Sequence, residues 1–181
     1  PAQAAPKISN GVACTKSGST TKTSGGTYKC AKNPLVKNSK LTWLSLDCVT
    51  AATDAVKAEK SAITTAANFK AQLPVIELGI TTETANKAEI QVKLDAATLR
   101  LTAAQAKLAA AKTDADKRLL TTAVSSWTSA TRAYASKIRN IDLTIKKLEA
   151  AKLAATNKPA ELASNVTNAR DSAKLICTKG F

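Results

Sequence analysis

Along most of this chain the apolar residues recur at alternating intervals of four and three. Ile90, Leu94, Ala97, Leu101, Ala104, Leu108 and Ala111 follow that rhythm. Trp127, Thr131, Tyr134, Ile138, Ile141, Ile145 and Leu148 repeat it. The alternation is a heptad seam, the mark of helices packed side by side. Ala, Leu, Lys and Glu dominate from Asp47 onward, so helix propensity is high.

Punctuation in the sequence divides this region into four helices. Asp47 can cap the first, which runs to about Ala71 and ends at Pro74, with Val49, Ala52, Val56, Ile63 and Ala66 on one face. Leu73 to Thr82, with Pro74 and Gly79, reads as a break. A second helix runs from Thr82–Thr84 to about Lys112, and Thr113-Asp114-Ala115-Asp116 offers a capped restart. The third reaches about Thr156, where Asn157-Lys158-Pro159 interrupts it. The fourth starts with Pro159 in its first turn and carries Leu162, Val166, Ala169, Ala173 and Ile176 in register up to Cys177. Short breaks favour antiparallel neighbours. The expectation is therefore a mainly α chain, an antiparallel four-helix bundle or coiled coil over 47–181. The second and third helices are the longest, so either their far ends project beyond the others or the bundle is bent and more compact.

Before Asp47 the pattern changes. Gly11–Lys16, Thr27–Cys30 and Leu41–Leu44 read as short strands, with turns at Gly25-Gly26 and Asn33-Pro34. Residues 1–46 thus form a small β-hairpin module with an amino-terminal arm, Pro1 to Asn10. So few residues bury little core, and a staple is expected.

The cysteines supply one. Cys14, Cys30, Cys48 and Cys177 are even in number, lack CxxC spacing and have no His beside them, which favours disulfides over zinc. Three pairings are possible in principle. Cys14 and Cys30 are placed to join neighbouring strands. An up-down-up-down path brings the start of the first helix and the end of the fourth to one end, which pairs Cys48 with Cys177.

Composition narrows the function. The chain of 181 residues has no His and a net charge of +14. A His-based triad, His general acid/base chemistry and His metal ligation are therefore closed to it. Its 44% hydrophobic content overstates the core, because 36 residues are Ala. Residues 1–46 carry seven Lys and no acid, while the remainder carries 20 basic and 13 acidic side chains. No apolar run approaches a membrane span. The opening Pro-Ala-Gln-Ala-Ala-Pro looks like the sequel to a cleaved secretory signal. Together with disulfides, this predicts a secreted, extracellular or cell-surface protein.

The stretch Gly11…Cys14…Gly18…Gly26-Thr27-Tyr28-Lys29-Cys30…Leu41-Thr42-Trp43 resembles a small Lys-rich module of secreted actinobacterial proteins. That pattern runs Cys, Gly, Tyr-x-Cys and a closing Leu-x-Trp. The resemblance covers residues 11–43. It implies secretion and a disulfide-linked hairpin, with no activity attached. The longer Asn-Pro stretch before Leu41 departs from it.

Candidate chemistry is that of a binding surface. No nucleophile elbow, P-loop or glycine fingerprint is present, and no cofactor is expected. Asp114 and Asp116 suit a helix start. Lys93, Arg100 and Lys107 stand seven apart, as do Arg132, Arg139 and Lys146. Glu89 and Asp142 can offset Lys93 and Lys146 at i,i+4, whereas Arg100, Lys107, Arg132 and Arg139 have no acid four residues earlier. Lys16, Lys22 and Lys29, with Tyr28 and Trp43, form a second basic and aromatic set in the module. Such rows suit an anionic surface polymer or lipid headgroup. Lys outnumbers Arg and no nucleic-acid fold motif is present, so nucleic acid is disfavoured. Two readings follow. One is a non-enzymatic structural or interaction protein of the cell surface, assembling with itself or with another envelope protein. The other is an extracellular binding module for anionic glycopolymers or lipid headgroups.

Overall fold

The computed structural model describes residues 7–180. Its elements are β1 (Thr20–Thr23), β2 (Gly26–Lys32), β3 (Leu41–Ser45), α1 (Leu46–Ala110) and α2 (Asp114–Ile176). The chain divides into two compact units, one within Pro1–Lys70 and Asn157–Phe181, the other Ala71–Thr156.

The helical region holds two helices, where four were expected. α1 passes through Pro74 and Gly79, and α2 passes through Pro159. The reason lies in the seam. Buried or half-buried positions of α1 include Cys48, Ala52, Ala55, Glu59, Ala62, Ala66, Phe69, Leu73, Ile76, Ile80, Glu83, Lys87, Ile90, Leu94, Ala97, Leu101, Ala104 and Leu108. That is one unbroken alternation of four and three. In α2 the same stepping links Leu120, Val124, Trp127, Thr131, Tyr134, Ile138, Ile141, Ile145 and Leu148. It continues through Ala155, Pro159, Leu162, Val166, Ala169 and Ala173. A proline inside a helix costs about 3 kcal/mol. Burying one large aliphatic side chain recovers about 1.5–3 kcal/mol when complete. Leu73, Ile76 and Ile80 beside Pro74 are only partly buried, but together they outweigh the penalty if the helix continues in register. Gly79 has a packing role: a Cβ there would lie 3.3 Å from Leu148 Cδ1, so its absence makes room for that side chain.

Two face assignments change accordingly. In α1, Ile63 is 65% exposed and leaves the buried face, while Val49 and Val56 are half-buried beside Cys48, Ala52 and Ala55. At the end of α2, Ile176 is 46% exposed and Cys177 takes the core position.

The helix starts follow local chemistry. Ser45, and not Asp47, caps α1: the Cys48 N–H donates to Ser45 Oγ at 3.1 Å. Thr113 caps α2 as expected, its Oγ1 accepting from the Asp116 N–H at 3.1 Å and donating to Asp116 Oδ2 at 2.6 Å. Threonines within the helices, among them Thr81, Thr98, Thr121 and Thr144, donate their hydroxyls to the carbonyl four residues back. This satisfies a polar group that otherwise competes with the helix.

In the first unit the sheet is an antiparallel meander, β1-β2-β3. The first strand is Thr20–Thr23, with Thr23 opposite Gly26 across the turn. It is a run of Thr and Lys with β-branched preference but no apolar alternation, so the pattern does not flag it. The expected strand at Gly11–Lys16 is instead a single bridge, Ala13 to Thr42. Asn10, at the end of the expected arm, is held in place: its Oδ1 accepts from Ser45 N–H at 2.6 Å and its Nδ2 donates to the Ile176 carbonyl at 3.3 Å. Pro1–Pro6 of the arm lie outside the described residues.

Both expected disulfides are present, Cys14–Cys30 and Cys48–Cys177, with Cα separations of 5.9 and 4.8 Å. The core of this unit is Leu44, Cys48, Ala52 and Cys177, with Ala31, Leu35 and Val49 against it. The Cys48–Cys177 inference survives the change in helix count, because two antiparallel helices also bring these ends together. Buried Asn33 donates to the Gly180 carbonyl at 3.1 Å and accepts from Leu35 N–H, which ties the Asn-Pro turn to the chain beyond α2. Gly11 packs so closely on Lys179 that a Cβ would overlap its carbonyl oxygen.

In the second unit the two helices run antiparallel around the link at 111–113. Glu77 pairs with Lys152 at 2.9 Å and Lys87 with Asp142 at 2.7 Å. Asp142 thus reaches across to α1 and does not serve Lys146. These pairs are exposed and add little stability, but they fix which residues face each other. Among the described residues no helix is long and apolar enough to cross a membrane.

Candidate functional site

The sheet separates the module's candidate residues. Residues opposite each other in an antiparallel pair share a face. Cys30 stands opposite Trp43 and Tyr28 opposite Ser45, so Tyr28 and Trp43 lie on the face of the Cys14–Cys30 staple. Lys29 stands opposite Leu44, and Lys22 opposite Thr27, on the other face. Lys16 is an exposed turn residue before β1. Lys22 and Lys29 therefore lie on the side of the sheet away from Tyr28 and Trp43. Both aromatics are half-buried.

The second unit brings a different set together. Trp127 and Tyr134 stand on the seam of α2, and Ala97 on the seam of α1. Beside that small residue the seam opens into a notch of about 220 Å³ lined by Lys93, Ala96, Ala97, Arg100, Trp127 and Tyr134. The Arg100 guanidinium carbon lies 4.9 Å from the centre of the Trp127 ring, a cation–π contact. Lys93 donates to Glu89 Oε1 at 2.6 Å. That hydrogen bond, with the attached charge, holds the Glu89 carboxyl below its ordinary value and the Lys93 ammonium above its own. Both groups therefore stay ionised across the neutral range.

The remaining basic candidates do not join this notch. Lys107 is exposed two turns beyond Arg100. Arg132 and Arg139 follow Trp127 and Tyr134 by five residues each, which turns them about 140° away around α2. With Lys146 they form a separate exposed row. Among the described residues no group of three His, Cys, Asp or Glu side chains could hold a metal ion.

One surface was not anticipated from the sequence. Ala71, Leu78, Ala85, Val92, Leu99 and Ala106 stand seven apart on α1, and all six are exposed. Leu78, Val92 and Leu99 are 66%, 68% and 73% exposed. Their spacing equals that of the seam, and that spacing was the available signal. An uncharged row is unusual on so basic a chain. No family model, curated protein or solved structure matches this chain.

Proposed function

We propose that this is a secreted, non-enzymatic structural or interaction protein of the cell surface, acting in attachment or in assembly of a surface structure. The observation that carries the reading is the outward apolar row of α1. A helix with one apolar row packs on one neighbour; a second row of the same period offers a second helix-packing face. In α1 the first row meets α2 and the second is exposed. The paired helices on this reading form an antiparallel coiled coil. Two disulfides fit an oxidising compartment, in line with the likeness of residues 11–43 to secreted actinobacterial modules. Electron microscopy of native material tests the reading. Filaments, layers or envelope-bound particles are expected; dispersed monomers that bind no envelope fraction would overturn it.

The second reading, binding of anionic glycopolymers, is favoured by the notch at Arg100, Trp127 and Tyr134, where a cation and two aromatic rings converge.

A further inference from the structure

We propose that this notch binds a pyranose ring bearing a carboxylate, as a unit of an acidic polysaccharide, with Arg100 as the carboxylate's partner and Tyr134 and Trp127 as the ring contacts. The inference deepens the second reading and rests on it. It goes beyond attraction between a basic protein and a polyanion.

Three observations carry it. The chain has only six aromatic residues, and two of them line this one opening. They stand two helical turns apart, about 10 Å along α2, and Ala96 and Ala97 of α1 line the notch with them. A lining of methyls and aromatic rings suits the apolar C–H face of a sugar. The rim then selects the charge. Among the described residues Arg100 makes no ion pair, and it presents a planar fork that can hold a carboxylate by two hydrogen bonds. Lys93 is already engaged by Glu89, whose ionised carboxylate stands next to the opening. The pair leaves Arg100 as the notch's cation outside an ion pair, which suits a ligand with one charge per ring.

Oligogalacturonate, a chain of carboxylated pyranoses, is the probe. Trp43→Phe leaves Trp127 as the single indole, and its emission is followed during titration at fixed salt. A saturable change is expected with oligogalacturonate and none with neutral dextran. Arg100→Gln is expected to weaken binding about tenfold. Tyr134→Leu, which keeps the seam apolar but removes the aromatic face, should do the same. Lys112→Gln removes an equal charge outside the notch and should change affinity less than twofold. Retention of otherwise unaltered protein and the same variants on immobilised polygalacturonate repeats the comparison without Trp43→Phe. No emission change and no retention would overturn the proposal. So would equal losses for Arg100→Gln and Lys112→Gln, or tighter binding of dextran sulfate that is indifferent to Tyr134; these two results would leave a purely electrostatic form of the second reading standing.

Discussion

Single side chains decide where the elements begin and which groups stay charged. Ser45 carries no charge, yet it satisfies the Cys48 N–H at the start of α1. Ser45→Ala should therefore lower stability by about 1 kcal/mol in denaturant unfolding. Asp47→Ala, at a residue that is not the cap, should cost clearly less. The Glu89–Lys93 pair gives a pH prediction. Glu89 is held below its ordinary value, so its contribution is complete above that value and fades as pH falls through its lowered folded value. Lys93 is held above its ordinary value, so its contribution is complete below that value and fades as pH rises through its raised folded value. Lys93→Gln should move the Glu89 titration, followed by carboxyl NMR, back up toward an ordinary carboxylate. Gly79 was legible only as a breaker, because sequence does not show that Leu148 occupies the space a side chain would need. Gly79→Leu should cost about 1–3 kcal/mol by overpacking.

At the scale of elements, most of the helical content was legible and its continuity was not. The stretches 90–111 and 127–148 appear in the structure on the faces their spacing predicts. Proline and glycine weigh heavily in a local reading because their local cost is real. The seam outweighs that cost only when its register is followed from Cys48 to Leu108 without interruption, through seam positions held by Glu59, Glu83 and Lys87, which local hydropathy rejects. The strand Thr20–Thr23 escaped for the opposite reason: its neighbours, not its own hydrophobicity, pair it with β2. The continuity has a direct consequence. Pro74→Ala should restore an N–H donor and remove a clash inside α1, stabilising the protein by up to about 3 kcal/mol. A proline that marked a helix end would give no gain, and thermal unfolding followed by circular dichroism separates the cases.

For the molecule as a whole, the staples were legible because they depend on topology more than on helix count. Cys48 and Cys177 are 129 residues apart in sequence, so their bond removes about 4–5 kcal/mol of loop entropy from the unfolded chain. Cys14–Cys30, with a separation of 16, removes about 3 kcal/mol. Replacing Cys48 and Cys177 with Ala should accordingly lower the melting temperature more than replacing Cys14 and Cys30. The surface was less legible. Basic residues drew the first reading, since +14 is conspicuous in a sequence. Lys22 and Lys29 fall on the face of the sheet opposite Tyr28 and Trp43, and the uncharged row at Leu78, Val92 and Leu99 emerges only once the buried face of α1 is known. That row bears the central claim, assembly through a second helix-packing face. Sedimentation velocity over a wide concentration range, for the unaltered protein and for Leu78→Gln/Val92→Gln/Leu99→Gln, measures it. The account predicts self-association that rises with concentration and is lost in the triple variant while helicity is kept. A monomer at every concentration and salt, or assembly unchanged in the triple variant, would contradict it.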